Sequence, residues 1–200
     1  MRTFVSQQLR PAILVLAMLT LITGVAYPGI VTAIGQVAFP NQANGSFITV
    51  NGSEVGSSLI GQAFDQPKYF WGRPSAAGVT PSNPAGYDGT SSGGSNLGPT
   101  SKTLIDRMTA AVDALRQANG NAPIPVDLVT TSASGLDPDI SPAAAEYQVA
   151  RVAAARGMTA DAVRAIVARH TTQPLLGFLG EPVVNVLELN LDLDGLLTTK

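Results

Sequence analysis

The sequence contains no cysteine and a single histidine, His170. This removes disulfides, thiolate catalysis and zinc–thiolate sites, and it makes a histidine-based metal centre a poor expectation. Charge is scarce as well: 13% of residues are Asp, Glu, Lys or Arg, the formal net charge is −2, and no Lys/Arg cluster stands out. Nothing in that balance attracts nucleic acid. The common catalytic signatures are missing too. There is no G-x-x-x-x-G-K-[ST] phosphate loop, H-E-x-x-H helix, EF-hand loop or G-x-S-x-G elbow. An exported serine hydrolase would have to combine His170 with Ser134 or Ser95.

What the chain does contain is a long apolar run over residues 11–34, PAILVLAMLTLITGVAYPGIVTAI, with no formally charged side chain between Arg10 and Glu54. About 20 apolar residues cross a bilayer as a helix, because every backbone N–H and C=O is then satisfied within the segment. Arg2 and Arg10 precede the run. The positive-inside rule therefore keeps the N-terminus in the cytoplasm and sends the remainder out. The expected organisation is a cytoplasmic N-terminus (1–10), a transmembrane helix (11–34), a turn-rich linker (35–46) and an extracytoplasmic domain (47–200). A cleaved signal peptide, with Val31-Thr32-Ala33 as its small-residue site, is the alternative, although the run exceeds the usual signal core of about 7–15 residues.

Within the domain, Phe47-Ile48-Thr49-Val50 and a segment returning through Ser53 to Ile60 predict a hairpin around Asn51-Gly52, a pair suited to a type I′ turn. A helix begins at Thr100 or Ser101, with Leu104, Ile105, Met108, Val112 and Leu115 on one face, and stops at Gly120. Residues 126–130 predict a short strand. Ser141-Pro142 opens a helix that Gly157 closes, and Thr159 opens another reaching about His170, with Met158 and Val163 placed as a hydrophobic staple. Leu187, Leu189, Leu191 and Leu193 alternate with Glu188, Asn190, Asp192 and Asp194, which predicts a strand. The fold class is α+β: one N-terminal transmembrane helix followed by a single mixed α/β extramembrane domain.

Three stretches carry candidate chemistry. Tyr69, Phe70, Trp71 and Arg73 form either a core anchor or a partner-contact surface. Ser92, Gly93, Gly94, Ser95 and Asn96 lie in an irregular stretch, residues 75–100, and glycine lets such a backbone curl its N–H groups around an anion. A distant echo of the Leu-Ser-Gly-Gly-Gln signature of ATP-binding-cassette proteins supports that nucleotide reading, against a flexible or partner-packed loop. Ser134, Gly135 and Asp137 belong to a second Gly/Ser turn, residues 132–138, with the same ambiguity. Asp137 and Asp139 flank Pro138 either as paired carboxylates or as a turn in which one caps the next helix. His170 is expected to be solvated or to cap its helix.

Taken in order, these blocks resemble one family. After the apolar run come GSSLIGQ (56–62), YFWGRPS (69–75), SGGSNLGP (92–99), SASGLDP (132–138), YQVARVA (147–153) and LGEPVVNVL (179–187). In that order they are similar to the small C subunit of the Kdp potassium-transporting ATPase, the KdpC family, over nearly the whole chain. Asp139 departs from the pattern, which carries histidine there. The resemblance implies a non-catalytic subunit of a pump in the bacterial plasma membrane. Its partners would be a channel-like potassium-binding subunit, a P-type ATPase catalytic subunit and a small stabilising peptide. It also implies a catalytic chaperone that raises ATP affinity, with nucleotide contact at Ser92–Asn96 and no firmly bound cofactor. On the outer side, Glu181, Glu188, Asp192 and Asp194 would enrich cations. A stand-alone membrane-anchored ligand-binding domain is the competing expectation.

Overall fold

The structure is a computed structural model describing residues 2–197, with side chains from residue 7 onward. The outer ends of the expected 1–10 and 47–200 segments, and the Arg2 side chain, lie outside the described residues. Two compact units divide at Phe47, Met1–Phe47 and Ile48–Lys200.

The first unit is the apolar helix. Helix α1 (Arg2–Leu21) passes through a π-helical turn, Ile22–Ala26, into α2 (Tyr27–Ala38). Pro28 explains the interruption. It has no N–H to donate into the ladder, and the chain widens just before it, with Tyr27 N–H donating to Ile22 O five residues back. An 18-residue window within Gln7–Ala38 reaches a mean hydropathy of 2.1, and no residue from Gln7 to Ala38 is buried in the protein. Its 32 residues extend about 48 Å at 1.5 Å each, more than the ~30 Å of a bilayer's hydrocarbon core. By length and composition it is one helix able to cross a membrane. Within the segment expected to be a turn-rich linker (35–46), part of the chain is helical. Pro40 starts a single turn, α3 (Pro40–Ala43), and the Asn44 amide both donates to Pro40 O (2.6 Å) and pairs with the Gln36 amide.

The expected hairpin, which apart from its first residue Phe47 belongs to the second unit, consists of β1 (Phe47–Val50) and β2 (Ser53–Ser57), turning on Asn51 (φ 51°) and Gly52 (φ 82°). Strand β2 stops before Ile60. The irregular stretch follows, then α4 (Lys102–Asn119), a 3₁₀ turn (Val126–Leu128), β3 (Asp139–Ile140), α5 (Pro142–Arg156), α6 (Ala160–Arg169), β4 (Thr171–Thr172), β5 (Val183–Asn185) and α7 (Val186–Leu193). Strand β5 lies between β3 and β4 and pairs antiparallel with both, with Ile140 and Thr171 each opposite Val184. Helix α5 forms the centre. Its Ala144, Ala145, Val149, Val152 and Ala153 are buried, and these small side chains let Phe70, Val163 and Leu189 pack closely around it.

Helix caps follow the sequence. Ser141 Oγ accepts from Ala144 N–H (3.0 Å) and Thr159 Oγ1 from Ala162 N–H (3.2 Å), while Gly120 and Gly157 follow the ends of α4 and α5. Two strand expectations fail. Residues 126–130 begin as a 3₁₀ turn because Pro125 O accepts from Leu128 N–H, and Val126 is exposed while Leu128 and Val129 are buried. The alternating leucines form helix α7. Its Val186, Leu187, Leu189, Asn190 and Leu191 are all buried, so the helix is enclosed on several sides and period two carries no information about its faces. On α4, Ile105 is exposed whereas Leu115 is buried.

Candidate functional site

The aromatic stretch is gripped along its backbone. Phe70 is fully buried, so its side chain lies inside the domain and offers no outer contact surface. Asn190 Oδ1 accepts from Phe70 N–H (2.8 Å), and Asn190 Nδ2 donates to Phe70 O (3.0 Å). Gln148 repeats the pattern one residue on, accepting from Trp71 N–H (2.8 Å) and donating to Trp71 O (3.1 Å). Both amides are buried. Each satisfies two backbone groups that would otherwise lack partners in the core.

Arginines complete the grip from α5. Arg151 lies 4.0 Å from the centre of the Trp71 ring and donates to Pro67 O, Tyr69 O, Gln148 Oε1 and Asn119 Oδ1. Burial lowers its pKa to about 10, which leaves it cationic at neutral pH. Arg156 donates to Lys68 O and pairs with Asp194 (2.8 Å), whose other carboxylate oxygen accepts from Tyr69 Oη. Tyr69 and Trp71 are half-buried.

The two Gly/Ser stretches meet. Ser134 O accepts from both Gly93 N–H (2.8 Å) and Ser92 Oγ (3.1 Å), and Thr131 Oγ1 donates to Ser95 Oγ (3.4 Å). Gly135 sits at φ 68°, and a Cβ there would stand 2.6 Å from Gly93 O and 2.7 Å from Ala77 N. Only glycine suits both that conformation and that approach. Ser75 Oγ ties in a third segment, donating to Gly135 O (2.6 Å) and accepting from Tyr87 N–H (2.8 Å). Arg73 pairs with Asp137 (2.8 Å) beneath these loops, and Tyr87 Oη donates to Arg73 O. Burial, with the nearby Asp137 charge, pushes the Tyr87 phenol up to about 12. A phosphate cradle needs N–H groups turned toward its anion; the Gly93 N–H and the Ser92 hydroxyl are instead directed at Ser134 O.

The other polar candidates are internal as well. Asp137 pairs with Arg73 and accepts from Asp139 N–H, so neither carboxylate caps α5; Ser141 does, with its own N–H held by Asp127. Burial, then Asp137, raises the Asp139 pKa. His170 occupies the C-cap position of α6, but its ring is not free in solvent: Nε2 lies 2.8 Å from Asp192 Oδ2, which Arg169 also contacts. Among the described residues, no hydrogen bond joins His170 to Ser95 or Ser134. Two of the four acids expected to enrich cations, Asp192 and Asp194, are thus paired with basic side chains.

The family profile of the K+-transporting ATPase c chain, KdpC, matches residues 9–195. The chain belongs to the KdpC family. It is similar, at 60% identity, to the potassium-transporting ATPase KdpC subunit of Sorangium cellulosum, covering 94% of this chain and 97% of that one. The subunit of the same name from Burkholderia vietnamiensis is 57% identical over 93% of this chain and 95% of its own length. The one from Herpetosiphon aurantiacus is 56% identical over 97% of both. KdpC membership makes the chain an accessory, non-catalytic subunit, and the apolar helix Gln7–Ala38 fits a membrane-anchored subunit of a transport ATPase.

One feature of this KdpC chain is absent from the sequence-derived candidates. The loop between β4 and β5 exposes Leu175, Leu176, Phe178 and Leu179. Their spacing around Gly177 is the only trace in the sequence, since an apolar cluster ordinarily signals burial.

Proposed function

We propose that this chain assembles and stabilises a potassium-transporting ATPase from the outer face of the bacterial plasma membrane. In this reading it spans the membrane once, N-terminus inside, and its domain clasps the channel-like potassium-binding subunit. The P-type catalytic subunit and the small stabilising peptide complete the complex. The observation that carries the topology is the charge asymmetry around the helix. Arg10 lies near its start, and after it no Lys or Arg occurs before Lys68.

Family resemblance adds a catalytic-chaperone role toward ATP. With the domain outside, that influence reaches the hydrolysing subunit as coupling between conformational states rather than through a shared nucleotide. The direction of Gly93 N–H and Ser92 Oγ toward Ser134 O supports this over direct contact at Ser92, Gly93, Gly94, Ser95 and Asn96. Tyr69, Trp71, Arg73, Ser134, Gly135 and Asp137 then serve the partner face by shaping it.

Sidedness tests the proposal, and a chain without cysteine makes the test clean. Ser134→Cys and Lys102→Cys are labelled with a membrane-impermeant maleimide in intact and lysed cells. Labelling of intact cells is the expected result. Labelling at both positions only after lysis puts the domain in the cytoplasm, and the Gly-rich loop then becomes a direct nucleotide contact.

A further inference from the structure

The π-helical turn of the apolar helix leaves one carbonyl, Thr23 O, without a donor from its own ladder. An α-helical ladder brings the N–H four residues on to each carbonyl, which for Thr23 O is that of Tyr27. Tyr27 N–H instead donates to Ile22 O. Five residues on from Thr23 stands Pro28, which has no N–H to give. Thr23 O therefore loses both its α-helical and its π-helical partner. The Thr23 hydroxyl does not compensate, because it donates to Leu19 O (2.7 Å). Among the described residues, no other side chain caps this carbonyl.

Depth in the membrane gives that loss its weight. Thr23 stands 13 residues from Arg10 and 13 from Gln36, the nearest charged and amide side chains along the helix. It is thus about 20 Å from each, at 1.5 Å per residue. A hydrocarbon core of ~30 Å fitted between those two residues keeps Thr23 at least about 10 Å inside either edge. Lipid chains offer no donor there. An unsatisfied carbonyl at that depth is tolerated only where protein covers it or a water-filled cavity adjoins it. The helix surface favours protein. Thr20, Thr23, Gly24 and Tyr27 share one face at helical spacing. A Cβ built on Gly24 would meet only Thr20 Cγ2, at 4.0 Å, so the helix leaves room there for a second backbone to approach closely. No charged side chain lies between Arg10 and Glu54 to hold a water-filled cavity open.

We infer that a membrane helix of another pump subunit docks on the Thr20–Gly24 face and donates a side-chain hydrogen bond to Thr23 O. The donor is an uncharged hydroxyl, amide or indole group, which supplies the missing bond without carrying a charge into hydrocarbon. This rests on the reading of the chain as an anchored subunit of the pump, and it holds for either orientation of the helix.

The experiment uses the assembled pump in native membranes. A diazirine-bearing amino acid replaces Thr20 in one preparation and Met18, on the opposite face, in another, and both are irradiated. The expected product is an adduct from the Thr20 position to a membrane-spanning peptide of one other subunit, located by fragment mass. Adducts with lipid or water alone, or equal adducts from both positions, overturn the site. In parallel, Pro28→Ala supplies the missing N–H and lets the ladder close on Thr23 O and Gly24 O. Retention of this variant on a tagged catalytic subunit through detergent washing is expected to fall by about threefold or more, the fold-change of one interhelical hydrogen bond. Retention equal to the parent chain overturns the site. Failure of the parent chain itself to be retained, or a mature chain that begins after Ala33, overturns the anchored-subunit reading and the site with it. Because the crosslink is read in a chain that keeps Pro28, it decides the question even where Pro28→Ala fails to insert.

Discussion

Asn190 treats Phe70 as a neighbouring strand would: its side-chain amide accepts from the Phe70 N–H and donates to the Phe70 carbonyl, at 2.8 and 3.0 Å, from a helix 120 residues further along the chain. Asn190→Ala removes both bonds and leaves two backbone groups unpaired in the core. The expected loss is about 2–5 kcal/mol in a urea-unfolding experiment, since each unsatisfied buried group costs about 1–3 kcal/mol. Asn190→Asp keeps the shape but loses the donor and buries a carboxylate, so its penalty shrinks as the pH is lowered toward the protonated form.

Gly135 and Gly93 separate two meanings of a glycine-rich loop. Gly135→Ala places a methyl group against backbone atoms at a positive φ and is expected to cost at least about 2 kcal/mol, the conformational penalty alone being about 1–2 kcal/mol. Gly93 has open space where a Cβ would stand and its backbone lies outside the left-handed region. Gly93→Ala is expected to shift stability by less than about 0.5 kcal/mol. Thermal unfolding of the two variants side by side checks this; equal losses would contradict the packed-loop geometry.

Asp192 and Asp139 give opposite pH signatures. Burial pushes Asp192 up, but hydrogen bonds from His170 and Arg169 outweigh it and hold the folded-state pKa below the ordinary 3.8. Its stabilisation is therefore complete above that value and is lost as pH falls through the folded pKa. Asp192→Asn is less stable than the parent at pH 7 and converges with it in acid. Asp139 is raised, by burial and then by Asp137, so its ionised form disfavours folding. Asp139→Asn is more stable than the parent at pH 7, and the gain disappears below about pH 3.8, where the carboxyl is protonated in both states. Urea titrations between pH 7 and pH 3 distinguish the two curves.

Arg151→Lys is not a conservative change, because lysine lacks the planar fork that reaches Pro67 O, Tyr69 O, Gln148 and Asn119 while stacking on Trp71. A stability loss of about 1–3 kcal/mol is expected. Trp71 is the only tryptophan, so its emission reports the same event directly, with a red shift in the folded variant. An unchanged spectrum would show that the stacking contributes little.

Much of the framework was legible because it depends on short-range chemistry. Ser141-Pro142, Thr159, Gly120 and Gly157 mark helix ends through their own side chains or backbone freedom, and Asn51-Gly52 does the same for the hairpin. Helix α7 reads as a strand from its alternating leucines because its enclosure erases the periodic contrast of a helix. The better signal was local: Asn185 followed three residues later by Glu188, whose N–H Asn185 Oδ1 accepts at 3.1 Å. At the candidate site, the glycine-rich stretches were recognisable as special, but their meeting across some 40 residues was not, since nothing in either stretch names the other. The exposed leucines between β4 and β5 were invisible for a different reason. Composition records that a side chain is apolar; only the fold decides whether anything covers it.

The distance between Phe70 and Asn190 also sets a timetable. Synthesis runs from the N-terminus, so the apolar helix is complete before any part of the clamp exists. At about 5–20 residues per second, the 120 residues between clamp partners occupy roughly 6–24 s of translation. Through that interval the Phe70 peptide has no Asn190 to hold it, and the core around α5 lacks Leu189. The domain therefore cannot close piece by piece as it emerges. It must wait as an unfinished chain, attached to an already completed helix, until its closing element arrives.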